Sequence, residues 1–468
     1  MKSVSAIGLF LPLALASPLA SSLARRDDNE TTASVNLGVN TGEPKHWASG
    51  FIYGIPDTPD QIPDHWYEDM GFNYGRTGGA QLGEPARGWI YGHEDYLGRL
   101  ESALSNYRTS RKYGASVILL PHDIWGTDGA DENTVWPGDN GDWTDWDNFV
   151  RTLMADLADN DALEGLVWDI WNEPDITIFW KRSQQQWIDL YIRTHKILRE
   201  DPTFDSVTIS GPSLAYRPLS DNTWWTDWLS QIASNDTIPD QYSYHLLGET
   251  GAYDNDLQTT NGTLAELLAA NNLPDRQINI NEYANPDEQI PAGAAYWISR
   301  LERFNAIGLR ANWLGGTTLH DLMANLLTKE SDPYDYAATD YVAVGEYQVY
   351  KYYNLNMTGN RVETVGSGDS LFDVYATVAE DKVRVLAGTW HTAGQWSLTI
   401  NQLSEVGLPA EGTLSIQTWG FTGADVWERV DAPTDMGIAE HEYSGDSVTF
   451  PINQEDDTTA WAFEFDIV

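Results

Sequence analysis

The 468-residue sequence contains no cysteine. Without a thiol, a zinc–thiolate site, an iron–sulfur cluster and a cysteine nucleophile are all excluded. Basic residues are scarce too: 27 Lys and Arg stand against 70 Asp and Glu, a formal net charge of −43. Binding of phosphate backbones needs clustered cations, so this balance argues against a nucleic-acid partner. The acidic surplus suits an acidic extracellular medium, and ordinary surface bias explains it equally well.

Long apolar segments are missing as well. The N-terminal run Val4–Ala16 is shorter than the roughly 20 residues that span a bilayer, which argues against a membrane anchor. It follows Lys2 and is itself followed by small residues, the pattern of a secretory signal peptide. We therefore expect a signal peptide over residues 1–20, a short propeptide to residue 26, and a secreted protein. Four sequons fit N-glycosylation on that route: Asn29, Asn235, Asn261 and Asn356.

Short apolar runs alternate with longer amphipathic stretches between residues 50 and 320. Such runs are typical of parallel strands buried on both faces, and the amphipathic stretches predict helices. Eight alternations predict a (β/α)₈ TIM barrel, which we place at residues 50–358. An open, doubly wound sheet is the alternative, but no G-x-G-x-x-G motif follows the first strand. The predicted strands are Gly50–Ile55, Phe72–Thr77, Ser116–Pro121, Leu166–Trp171, Ser206–Ser210, Gln241–His245, Gln277–Asn281 and Leu309–Leu314.

The C-terminal part of the chain has a different pattern. From about Arg361, short runs of alternating polar and apolar residues are separated by Gly, Asp and Asn turns. This pattern predicts antiparallel strands, and we expect a β-sandwich over residues 359–468. Residues 27–49 are expected to add a strand to it.

Two glutamates stand at the predicted ends of barrel strands. The fourth strand runs into Asn172-Glu173-Pro174, and the seventh runs into Asn281-Glu282. Active sites of TIM barrels lie at the C-terminal ends of the strands, so both carboxylates should face one pocket. A single glutamate there is more often a surface or salt-bridged residue. A pair on two sides of a pocket is what hydrolysis of a glycosidic bond requires.

These motifs resemble glycoside hydrolase clan A, the retaining "four/seven" barrels. The segment Trp168–Glu200, with ISGPSLAY and YSYHL after it, is most similar to glycoside hydrolase family 39, which includes β-xylosidases and α-L-iduronidases. The resemblance covers roughly residues 160–315. It implies a secreted fungal enzyme with a barrel followed by a β-sandwich. It also implies Glu173 as general acid/base and Glu282 as nucleophile, with neither a metal nor an organic cofactor.

The same resemblance suggests further contacts with a carbohydrate substrate. Asn172 should bond the 2-hydroxyl, and Arg76 should lie beside the nucleophile and keep it ionised, although a structural ion pair is the alternative. His245 is expected to contact substrate or orient a carboxylate. Trp313 is expected to form an apolar floor under the sugar, and a buried core tryptophan is nearly as well supported.

One departure from the family pattern concerns the sugar. The family has R-F-H where this chain has Arg76-Thr77-Gly78, and the histidine is missing. We expect His122, at the end of the third strand, to replace it as a substrate contact. The tryptophans in the loops after strands three and four either line a cleft or pack within those loops. Two other functions stay open: a catalytically silent carbohydrate-binding protein and a transglycosylase that uses the same site.

Overall fold

The structure is a computed structural model that describes residues 30–247, 256–423 and 425–467. Its first strand is β1 (Thr32–Gly42), and the chain then enters a closed barrel of eight parallel strands, each paired with the next along the chain. The predicted TIM barrel is thereby confirmed, including all eight of its strands. The barrel strands are β2 (Gly50–Ile52), β3 (Tyr74–Thr77), β4 (Ser116–Leu119), β5 (Leu166–Asp169), β6 (Thr208–Leu214), β7 (Gln241–Leu246), β8 (Gln277–Tyr283) and β9 (Ile307–Arg310).

Helices surround the barrel, and their apolar residues recur at intervals of three and four. In α4 (Thr144–Asp159), for example, Phe149, Leu153 and Leu157 are buried in the core. Side chains cap several helix starts: at the start of α7 (Leu257–Ala270), for example, the Asp256 carboxylate accepts the N–H of Gln258. The helices are α1 (Asp64–Asp69), α2 (His93–Lys112), α3 (Pro121–Trp125), α4 (Thr144–Asp159), α5 (Gln184–Glu200), α6 (Thr223–Asn235), α7 (Leu257–Ala270), α8 (Pro291–Phe304) and α9 (Gly345–Leu355).

A second, mostly antiparallel sheet follows the barrel. A two-stranded ribbon, β10 (Leu327–Lys329) and β11 (Tyr341–Ala343), precedes α9, which leads into the sheet. The sheet has nine strands in the order β17-β16-β19-β14-β13-β12-β1-β15-β18, and its two end strands contact each other, so that it folds over into a sandwich. This confirms the predicted fold class. The strands are β12 (Asn360–Val365), β13 (Phe372–Val378), β14 (Lys382–Thr389), β15 (Gly394–Asn401), β16 (Gly412–Phe421), β17 (Thr434–Tyr443), β18 (Ser447–Gln454) and β19 (Ala460–Asp466).

The N-terminal strand, β1, belongs to the same sheet as the C-terminal strands. β1 runs antiparallel to β12 and parallel to β15, so it lies inside the sheet of the sandwich rather than at its edge. The chain passes from α9 to β12 through residues 356–359, where the sequence places the boundary between the two domains.

The barrel and the sandwich pack together through α8, which lies against β13, β14 and β19. Gly388 in β14 is needed here, because a Cβ at this position would overlap the carbonyl oxygen of Ala292 in α8. Two arginines of α8 reach Asp373 in the sandwich: Arg300 approaches its carboxylate to 2.8 Å, and Arg303 donates hydrogen bonds to both carboxylate oxygens. The interface therefore combines close backbone packing with buried ion pairs. No helix in the described part of the chain has the length and apolarity needed to cross a bilayer.

Candidate active site

The two glutamates come together at the C-terminal mouth of the barrel. Glu282 is the penultimate residue of β8, and Glu173 follows β5 in a tight turn. The turn gives Glu173 a φ of 41°, and its N–H donates to the carbonyl oxygen of Ser213 at 2.9 Å. One carboxylate oxygen of Glu173 lies within 4.8 Å of one of Glu282. The two side chains thus share one small space, with Glu173 mostly buried and Glu282 partly accessible.

Arg76, in β3, lies beside them and is fully buried. Its guanidinium donates to Glu282 at 2.6 Å, to Asp169 at 2.7 Å and to the side-chain oxygen of Asn172 at 2.7 Å. One cation therefore serves two carboxylates and fixes the orientation of Asn172. The arginine that the sequence places beside Glu282 is found there, and its second carboxylate partner is one that sequence reasoning missed.

That partner, Asp169, is the centre of a buried polar network. It accepts hydrogen bonds from the Ser213 hydroxyl at 2.7 Å and from the Asn281 amide at 3.0 Å, in addition to Arg76. The Ser213 hydroxyl also lies 2.7 Å from that of Ser243. The sequence does contain a signal for this network, because Asp169 ends the otherwise apolar run LVWD. A carboxylate buried inside a barrel needs polar partners, since burying it unpaired costs free energy.

His245 bridges the two glutamates. Its Nδ1 lies 2.7 Å from a carboxylate oxygen of Glu173, and its Nε2 lies 3.7 Å from Glu282. Burial lowers the pKa of His245 to about 4, although the negative charge of Glu282 acts in the opposite direction. The imidazole is therefore neutral near pH 7, so that one ring nitrogen carries a hydrogen atom and the other a free lone pair.

The two carboxylates experience different surroundings. Burial raises the pKa of Glu173 to about 7, and the charge of Arg76 opposes this rise only in part. Burial also raises the pKa of Glu282, but the positive charge of Arg76 opposes this rise, and Arg76 adds a direct hydrogen bond to the carboxylate. The carboxylate that bonds the guanidinium is thus the better stabilised as an anion.

His122, which the sequence suggests as a substrate contact, is buried and does not line the surface of the mouth. Its ring is buried against Trp171 and Phe179, and its Nε2 lies 3.1 Å from a carboxylate oxygen of Asp123. The other oxygen of Asp123 accepts the Tyr53 hydroxyl. Burial keeps the pKa of His122 well below its usual value and raises that of Asp123 to about 7. Sequence reasoning did not find this buried Tyr53–Asp123–His122 chain, because Tyr53 follows β2 and is distant in sequence from His122 and Asp123 in α3.

The aromatic residues of the mouth divide into two groups. Trp313 is 48 % exposed, and its indole N–H donates to the carbonyl oxygen of Ala284 at 3.1 Å, so it lies at the surface and not in the core. The loop tryptophans behave in the opposite way. Four of them pack with Trp171 in a buried cluster beneath the Glu173 turn, which shows that they support the loops: Trp125, Trp136, Trp146 and Trp180.

Glu173, His245 and Glu282 also offer three ligand atoms close enough together for one metal ion. Imidazole and carboxylate are ligands that zinc accepts. However, Arg76 already bonds Glu282, and its fixed positive charge disfavours a cation at the same place. The donor set fits proton transfer between carboxylates better than it fits a metal ion.

Solved structures share this architecture. A Neocallimastix frontalis protein, N2152, is 18% identical, with a TM-score of 0.73 over 94% of this chain and all of that one. A monomeric β-xylosidase from Caulobacter crescentus is 13% identical, with a TM-score of 0.56 over 94% and 100% of the two chains. A GH39 enzyme from Xanthomonas axonopodis pv. citri is 14% identical, with a TM-score of 0.55 over 93% and 97%.

The sequence itself matches no protein-family model and no curated protein. At these identities, the similarity to solved structures establishes the fold. That fold is the one implied by the resemblance to clan A and to family 39.

Proposed function

We propose that the protein is a retaining glycoside hydrolase that cleaves O-glycosidic bonds by double displacement. The observation that carries the proposal is the approach of the two glutamates, whose nearest oxygens lie within 4.8 Å. Retaining enzymes hold their carboxyl groups about 5–5.5 Å apart, whereas inverting enzymes need about 6.5–9.5 Å to admit a water molecule. A nearest-oxygen distance of at most 4.8 Å is closer to the spacing of retaining enzymes than to that of inverting enzymes, and so supports the retaining mechanism.

In this proposal Glu173 is the general acid and then the general base. A pKa of about 7 keeps much of Glu173 protonated in a neutral or mildly acidic medium. The neutral His245 ring supports this state, because its Nδ1 can accept a hydrogen bond from the protonated carboxyl group of Glu173 at 2.7 Å. Glu173 therefore protonates the leaving oxygen in the first step. In the second step it takes a proton from the water that cleaves the glycosyl-enzyme.

Glu282 is the proposed nucleophile. Its bond to Arg76 stabilises the anion that attacks the anomeric carbon. Asn172 receives Arg76 on its side-chain oxygen, so its amide N–H₂ is the group that can donate to the 2-hydroxyl. Trp313 presents an exposed aromatic face on which the C–H face of a sugar can stack. We assign His122 an indirect part, since Asp123 and the surrounding rings enclose it.

We further propose that the substrate is a plant or microbial cell-wall polysaccharide or an oligosaccharide derived from one. The β-xylosidase and the GH39 enzyme with the same fold support this class. Secretion is part of the proposal, although the signal peptide and Asn29 lie outside the described residues. Of the remaining sequons, Asn235 and Asn356 are exposed and Asn261 is half-buried on α7, which makes all three sterically reasonable glycan sites.

Labelling with 2-deoxy-2-fluoro glycosyl fluorides tests the proposal. The wild-type protein should form a stable adduct, detected as a mass increase and mapped to Glu282. Glu282→Gln should form none and should lose activity on xylan, β-glucan and their oligosaccharides by at least about 10⁴-fold. Glu173→Ala should still be labelled by the fluoride, whose leaving group needs no acid, and azide should partly restore its turnover. Labelling of Glu282→Gln would contradict the assignment of the nucleophile.

A further inference from the structure

Two residues after each of the two glutamates, a polar group holds the segment or side chain of an exposed aromatic residue that follows the next barrel strand. Beyond Glu282, the carbonyl oxygen of Ala284 accepts the indole N–H of Trp313. Beyond Glu173, the carboxylate of Asp175 accepts backbone N–H groups of the segment that carries Tyr216. The mouth thus has one tethered, exposed aromatic on the Glu282 side and another on the Glu173 side. The function proposed above uses only the first.

The backbone around Tyr216 is held at three points. The N–H groups of Ala215 and Tyr216 donate to the two oxygens of Asp175 at 2.9 and 3.0 Å, and the indole of the buried Trp225 donates to the carbonyl oxygen of Tyr216 at 2.9 Å. The residue as a whole nevertheless stays 61% exposed. An aromatic ring on an immobilised backbone loses little conformational entropy when it binds a ligand, so this arrangement is preorganised for contact.

The position of this ring follows from the turn that carries Glu173. Ser213, three residues before Tyr216, accepts the N–H of Glu173, so the segment from Ser213 to Tyr216 lies directly beside the proposed acid. A general acid delivers its proton to the glycosidic oxygen, which belongs to the leaving group after cleavage. The leaving group must therefore occupy the Glu173 side of the mouth.

We infer that Tyr216 is the stacking platform for the first sugar on the leaving-group side. The ligand class is a neutral pyranose unit of an oligosaccharide or polysaccharide, whose C–H face packs on the phenol ring. Asp175 is a positioning residue that holds this platform. The inference rests on the proposed function, because it defines the two sides of the site by the roles of Glu173 and Glu282.

Reactivation of the trapped enzyme measures this subsite apart from the first chemical step. The enzyme is labelled with the 2-fluoro fluoride of xylose, glucose or galactose, freed of reagent, and incubated with xylobiose, cellobiose or lactose. In the reaction, an acceptor hydroxyl oxygen bonds to the anomeric carbon, the ester bond to Glu282 breaks and frees its carboxylate, and Glu173 takes the hydroxyl proton. The disaccharide concentration needed for half-maximal reactivation reports on binding at the leaving-group side.

We expect Tyr216→Ala to raise that concentration by about tenfold, while the rate of labelling by the fluoride changes less than twofold. Tyr216→Phe should behave as the wild type, since the ring is retained. Tyr334→Ala is the matched control, because Tyr334 is 65% exposed but lies against Trp427 of the sandwich. Asp175→Asn should reproduce part of the Tyr216→Ala effect.

The outcomes separate the two claims. Normal labelling of Tyr216→Ala together with unchanged acceptor dependence would overturn the leaving-group platform and leave the proposed function intact. An equal effect of Tyr334→Ala would also overturn it, because the response would not be specific to this side of the mouth. A wild-type protein that no fluoride labels would overturn the proposed function itself, and the inference with it.

Discussion

The barrel mouth and the barrel–sandwich interface each bury arginine with carboxylate, but in opposite proportions. At the interface, the carboxylate of Asp373 receives two guanidiniums, from Arg300 and Arg303. At the mouth, the single guanidinium of Arg76 is divided between Asp169 and Glu282. Burial tends to raise the pKa of a carboxylate in either place.

The pKa shifts at the two places have opposite signs because the number of arginines for each carboxylate differs. Burial disfavours the anion of Asp373, yet its two arginines hold its pKa below the usual value. At the mouth, burial prevails and the pKa of Asp169, Glu173 and Glu282 is raised. A surplus of cations makes a fixed ion pair. At the mouth, the deficit of cations leaves Glu173 with a pKa of about 7, so that it can exchange a proton near neutral pH, which is what acid/base catalysis needs.

The largest expected effect is the loss of activity on substitution of Arg76, the arginine at the mouth. Arg76→Lys keeps the charge but loses the planar fork that reaches Glu282, Asp169 and Asn172 together. We expect kcat/KM to fall about 10³-fold, equivalent to about 4 kcal/mol. The pKa of Glu282 should rise, so the acidic limb of the pH–rate profile should move to higher pH.

Arg300→Lys is the matched control, since it makes the same change in a guanidinium that is equally buried at the interface. Its kcat should stay within about twofold of the wild type, because it touches no part of the mouth. Equal losses of activity in both variants would show that the mouth cluster has only a structural role.

The second prediction concerns the interface. Asp373→Asn leaves Arg300 and Arg303 without their shared anion, and we expect the free energy of unfolding to fall by about 3 kcal/mol. Urea unfolding at pH 7 measures this loss, while kcat per folded molecule should be unchanged. Asp381→Asn removes an exposed partner of Arg384 and should cost less than about 0.5 kcal/mol. A loss of kcat in Asp373→Asn without loss of stability would contradict the division of roles.

Much of the fold and the main pair of the site could be predicted from sequence, for a physical reason. Parallel strands buried on both faces are continuously apolar, so their ends are visible, and barrel geometry brings those ends to one mouth. Placing Glu173 after the fourth strand and Glu282 at the end of the seventh was therefore enough to predict that they meet. Arg76 beside Glu282 was predicted through the family resemblance and not through its own pattern.

The supporting groups of the site could not be predicted, because each depends on contacts distant in sequence. Asp169 accepts hydrogen bonds from Ser213 and Asn281 on two other strands, and Tyr53, which follows β2, donates to Asp123 in α3. Their pairing follows from barrel register, which composition and periodicity do not encode. The tryptophan-rich loops are a similar case: aromatic content alone did not distinguish a sugar cleft from the buried cluster around Trp171.

The smallest expected effect concerns how the free energy of unfolding depends on pH at the mouth and at the interface. Glu173 has a folded-state pKa of about 7 against an ordinary value of 4.5, so between pH 4.5 and 7 the folded protein holds a proton that the unfolded chain has released. The stability associated with this proton is fully present below about pH 4.5 and is lost as the pH rises through 7. Asp373 has the opposite sign, since its lowered pKa adds stability that is lost only as the pH falls through its folded value.

Glu173→Gln should therefore become more stable than the wild type as the pH rises, by about 2 kcal/mol at pH 8, with little difference at pH 4.5. Urea unfolding of both proteins across this range gives the measurement. Glu266→Gln, on the exposed side of α7, should show no such trend. If the difference between Glu173→Gln and the wild type stayed constant from pH 4.5 to 8, Glu173 would not retain a proton in the folded state. The acid/base role would then lack its electrostatic basis, since an acid ionised at the working pH cannot protonate a leaving group.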